Sequence, residues 1–89
     1  MKKVFKYELE ITPFQEIKLP IDAEILSVQM QHQQLCLWVL VDPEKTKQTK
    51  KICIAGTGHP IIDTDFLKYI GTVQQLAGHI IWHVFEVET

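Results

Sequence analysis

The chain has no arginine. Its nine basic residues are all lysines, set against eleven aspartates and glutamates, for a formal net charge of −2. Without guanidinium groups there are no bidentate forks, so any recognition of phosphate rests on lysine, backbone amides and hydroxyls. The acidic balance argues against a broad electrostatic grip on duplex nucleic acid. Cysteine is scarce as well: Cys36 and Cys53 each sit in an apolar stretch and form no CxxC pair, which reads as two buried free thiols, not a disulfide or a zinc pair. No apolar run approaches the roughly 18 residues of a membrane helix. The start, Met1-Lys2-Lys3-Val4-Phe5-Lys6, turns charged again before a signal-peptide core can form. A cytoplasmic protein with no membrane partner is expected.

What is present describes one globular domain over residues 1–89, with 46% hydrophobic and 22% charged content. A chain this short hides only about 60% of its unfolded surface. Burial between copies would add to that core, so a homo-oligomer, a dimer, is expected.

The patterning is that of strands. Phe5, Tyr7, Leu9 and Ile11 alternate with Lys6, Glu8 and Glu10, as in a half-buried antiparallel strand. Thr12-Pro13 interrupts it, and Phe14 to Leu19 resumes to complete an expected N-terminal hairpin before Pro20. Leu26, Val28 and Met30 then alternate with Ser27, Gln29 and Gln31. Leu35 to Val41 is apolar on both faces, which marks the central strand. Glu44 to Lys50 reads as a polar, mobile, lysine-bearing loop. Lys51 to Ala55 is another strand, stopped at Gly56-Thr57-Gly58-His59-Pro60. Asp63 or Thr64 offers a cap for a single helical turn. Lys68 to Gln75 and His79 to Val87 form a last hairpin around Leu76-Ala77-Gly78. The fold class is mainly β: a small antiparallel β-sandwich or partly open barrel of about seven short strands, with at most one short helical turn.

Four groups of residues bear on chemistry. In the GTGHP loop, Gly56 and Gly58 bracket Thr57 and permit close backbone approach to an anion, with Lys50 and Lys51 upstream to add charge; a plain strand-exit turn is the competing account. His59, His79 and His83, with Asp63 and Asp65 nearby in sequence, have the residue types of a metal site but not its spacing, so no metal and no cofactor is expected. Trp38 and Trp82 offer rings for a nucleobase, against a core role. Ser27, Gln29, Gln31, Gln33 and Gln34 form an uncharged amide-rich face. No nucleophile stands with a base and an orienting group in a recognisable pattern, and the chain reads as non-enzymatic.

The strings Leu26-Ser27-Val28-Gln29, Leu37 to Pro43 (LWVLVDP), GTGHP, Tyr69-Ile70-Gly71-Thr72 and Trp82 to Glu86 (WHVFE) resemble those of small uncharacterised proteins of tailed phages and bacterial prophages, over nearly the whole chain. The resemblance implies a setting, and no catalytic residues come with it. Accessory proteins of that kind act on host machinery or antiviral defence. Two functions follow as expectations. One is a sponge that sequesters a small phosphorylated, nucleotide-like immune signal, held by Lys50, Lys51, Gly56, Thr57, Gly58 and His59 with Trp38 or Trp82 near a base. The other is an interaction module that inhibits or recruits a host protein through a strand edge or the amide-rich face.

Overall fold

A computed structural model describes residues 1–61 and 65–88. Its seven strands are β1 (Lys3–Leu9), β2 (Phe14–Pro20), β3 (Glu24–Gln31), β4 (Gln34–Val41), β5 (Lys47–Gly56), β6 (Leu67–Gln75) and β7 (Ile80–Val87). They form two antiparallel sheets, ordered β1-β4-β3 and β2-β5-β7-β6, with no helix among the described residues. Asp63 and Thr64, the expected helix caps, lie outside the described residues.

Inward residues of the two sheets share one core. Leu9, Val28, Leu35, Leu37, Val39 and Val41 come from the first sheet; Leu19, Ile52, Ile54, Val73 and Val84 come from the second. The apolar β4 is the middle strand of its sheet, as its composition predicts. Its outward residues Cys36 and Trp38 are flanked by Glu8 and Lys6 on one side and by Gln29 and Ser27 on the other. The two sheets close along one side, where β3 runs against β6. A Cβ on Gly71 would stand 2.7 Å from Val28 Cγ1, so that approach requires glycine.

Three expectations are corrected. The N-terminal hairpin does not form: β1 pairs with β4 and β2 with β5, in different sheets. The reason lies in the link. Gln15 takes both backbone groups of Glu10 with its side-chain amide, at 2.6 and 3.0 Å, and the Pro13 carbonyl accepts from Ile54, so no ladder runs between the two strands. The lysine-bearing loop is shorter than expected, because Lys47 to Lys50 already belong to β5 and pair with Pro20 to Ile17. Finally, a bulge between Ile25 and Ser27 places Ile25 opposite Val39 and leaves Leu26 exposed, where simple alternation had put Leu26 inward.

Candidate functional site

The residues picked out in the sequence fall into separate places. After Gly56 the chain makes a tight turn in which the His59 amide donates to the Gly56 carbonyl at 3.1 Å and Gly58 takes φ +84°. That is the position of a type II turn where a positive φ is required. The turn consumes the His59 amide, which is then not free for an anion. A Cβ on Gly56 would meet His59 Nδ1 at 2.8 Å and Trp82 Cζ3 at 3.5 Å, so its missing side chain is what lets the imidazole lie beside the indole. Trp82 donates Nε1–H to Gln75 Oε1 at 2.9 Å and packs against the core. Gly56, Thr57, His59, His79 and Trp82 line an open concavity of about 260 Å³.

Gly56, Thr57, Gly58, His59 and Trp82 are thus brought together. Trp38, Lys50 and Lys51 are not. Trp38 projects from the other sheet, opposite Lys6 and Ser27. Lys50 and Lys51 precede Gly56 by six and five strand positions, about 17–20 Å at roughly 3.3 Å per residue. Both have nearer partners. Lys50 Nζ lies 3.0 Å from Glu86 Oε2, and Lys51 Nζ stands 4.6 Å above the Phe14 ring.

The outer face of the second sheet holds a set of contacts that sequence reasoning missed. Antiparallel register puts His83 between Ala55 on β5 and Thr72 on β6. Its Nε2 is 2.7 Å from Thr57 Oγ1 and its Nδ1 3.0 Å from Thr72 Oγ1, which is 2.6 Å from the Tyr69 hydroxyl. A neutral imidazole donates from one nitrogen and accepts at the other, so the chain Thr57–His83–Thr72–Tyr69 is fully compatible with it. The Thr57–His83 distance is that of a nucleophile and its base. Here, however, the pair stands on an exposed sheet face, and His83 does not line the neighbouring concavity.

Two residues further along β7, on the same face, Phe85 meets Tyr69 edge to face, with ring centroids 5.8 Å apart. Tyr69 is 59% exposed. The cysteines are free and buried, and burial pushes both thiols above their ordinary pKa. Among the described residues no group of three or more His, Cys, Asp or Glu side chains is placed to hold a metal ion. No described helix is long and apolar enough to cross a membrane.

No curated protein and no solved structure matches the chain at a significant level. A family model does match, and it covers residues 1–89 from end to end. The chain therefore belongs to the family described as domain of unknown function DUF7352.

Proposed function

We propose that this domain is a non-enzymatic protein-interaction module whose docking surface is the outer face of the four-stranded sheet. The observation that carries the reading is the strongly exposed ring of Tyr69, set edge to face on Phe85 and bordered by hydrogen-bonding groups from Thr57, Thr72 and His83. Protein interfaces have that composition: aromatic anchors that lose water on binding, surrounded by polar groups that fix orientation. Tyr69 suits the role especially, since its hydroxyl is already oriented by Thr72 and its ring is supported by Phe85. Little side-chain entropy is then left to lose on docking.

The sponge reading has less support, because the lysines that would neutralise phosphate stand about 17–20 Å from the glycine turn and are engaged by Glu86 and Phe14. In a phage or prophage setting, which the sequence resemblance suggests, the partner would be a host protein, and its inhibition or recruitment the benefit.

Native mass spectrometry of protein purified from infected or expressing cells tests this. A co-purifying protein should appear with the wild type and be lost with Tyr69→Ser, while Trp38→Ala on the other sheet retains it. A retained small molecule, or a bound protein indifferent to the Tyr69 change, would overturn the assignment.

A further inference from the structure

The other sheet has an uncovered edge. In the order β1-β4-β3, β1 is an edge, and among the described residues its contacts with other strands are almost all to β4. The opposite edge, β3, is covered by β6. Of the second sheet's two edges, β6 lies against β3, and β2 is bounded by Pro13 and Pro20. β1 has no proline and is exposed over most of its length, with Val4 at 53% and Phe5 at 39% exposure. An uncovered, proline-free edge is a template for another strand.

The free backbone groups can be identified. Leu9 offers its carbonyl to Gln34 at the start of β4, at 2.8 Å, while Glu10 gives both its backbone groups to Gln15. Backbone groups point to alternate sides along a strand. Val4, Lys6 and Glu8 therefore face as Glu10 does, away from β4.

We propose that β1 pairs antiparallel with β1 of a second copy, about a two-fold axis through Phe5, to join two three-stranded sheets into one of six. Every residue-centred self-pairing keeps side chains on their faces, and those that pair most of β1 are centred on Phe5, Lys6 or Tyr7. Centring on Lys6 sets that lysine against itself, and like charges directly opposite are destabilising. Centring on Tyr7 places Val4 opposite Glu10, whose backbone is already held by Gln15. Centring on Phe5 places Val4 opposite Lys6 and Lys2 opposite Glu8, so all three free positions find partners. The charges match, because the lysines of this segment precede its glutamates. Phe5 then meets Phe5 of the second copy as a close, non-hydrogen-bonded pair, which covers the exposed ring. Lys6 Nζ gives up only an exposed contact to Gln31, of a kind that contributes little. Since β6 covers β3, the six-stranded sheet has no bare edge left, and assembly stops at two copies.

Light scattering and engineered cross-linking test this on the full chain. The wild type should have the mass of a dimer. Val4→Pro removes an amide that faces away from β4, which an edge strand tolerates, and Glu8→Lys sets two lysines against each other. Each should weaken association on the order of tenfold or more while circular dichroism stays native-like. Mild oxidation should cross-link Phe5→Cys across the axis far more completely than Lys6→Cys or Tyr7→Cys. A wild type that remains monomeric at all concentrations, or a dimer that cross-links best through position 6 or 7, would overturn the proposal. Should Val4→Pro fail to fold, Glu8→Lys and the cross-linking series decide. None of these changes lies on the outer face of the second sheet, so failure here is distinguishable from failure of the interaction surface proposed there.

Discussion

Thr57 Oγ1, in the turn after β5, lies 2.7 Å from His83 Nε2 in β7, although the two residues are 26 apart in the chain. This contact ties the end of β5 to the middle of β7. It makes the turn after Gly56 part of a polar brace on a sheet face.

The first prediction follows from that brace. Thr57→Val keeps the shape and removes the hydroxyl, so the imidazole loses one of its two partners while Thr72 holds the other. Because the contact is exposed, stability should change by no more than about 0.5 kcal/mol. Nitrogen chemical shifts of His83 should nevertheless move, and more at Nε2 than at Nδ1. A fall in melting temperature as large as that of a core substitution would show that the brace carries the fold.

A second prediction separates the two adjacent lysines. Lys50 points between the sheets, where Glu86 is only 13% exposed. Lys51 lies on the outer face over Phe14. Lys50→Ala should therefore cost about 1–2 kcal/mol, between the values for exposed and buried charge pairs. Lys51→Ala should cost less than about 0.5 kcal/mol. Adding Glu86→Gln to Lys50→Ala should recover part of the loss, because the stranded carboxylate is then gone. Urea denaturation of the four proteins reads out all three differences.

The sheet order explains what the sequence revealed and what it hid. β4 was legible because apolar residues fill both of its faces, and β6 and β7 because their alternation brackets a short turn. The first half of β5 was not: Lys47, Gln48, Thr49 and Lys50 carry no apolar side chain, and the half-buried Lys50 meets Glu86, 36 residues later. The hairpin misassignment of β1 has a similar origin. Proximity in sequence favoured β2, whereas the longer apolar face of β4 took β1. Of the candidate site, the sharp turn at Gly58 could be read from the glycine. Its Thr57–His83 contact depends on the Ala55–His83 register, for which no local signal exists.

The buried thiols give a third prediction. Burial raises the pKa of Cys36 and of Cys53, and that of Tyr7 as well. In each case the folded state favours the protonated form more than the unfolded state does. Their contribution is therefore complete below the ordinary thiol pKa of about 8.5, and is lost as pH rises past it because the unfolded chain releases protons first. Unfolding free energy should decline from pH 8 to pH 10, and the decline should shrink in a Cys36→Ala/Cys53→Ala background compared with its own value at pH 7. In the folded protein both thiols should react slowly with a disulfide reagent at pH 8. Fast labelling under native conditions would contradict the burial of these strands.

The last prediction concerns the seam where the two sheets meet. Gly71 of β6 faces Val28 of β3 so closely that a methyl group there would stand 2.7 Å from Val28 Cγ1, a distance no ordinary contact reaches. Valine is stiff about χ1 and Val28 is only 6% exposed, so the clash has to be relieved by moving a strand. Gly71→Ala should then cost about 1–3 kcal/mol through overpacking. Val28→Ala alone removes core volume and should be destabilising for the opposite reason. Together the two changes put one methyl group in place of two across the seam, and the double variant should be more stable than the sum of the single effects implies, by at least about 0.5 kcal/mol. Simple additivity in thermal or urea unfolding would mean that β3 and β6 do not approach this closely. The covered β3 edge, on which closure of the six-stranded dimer depends, would fall with it.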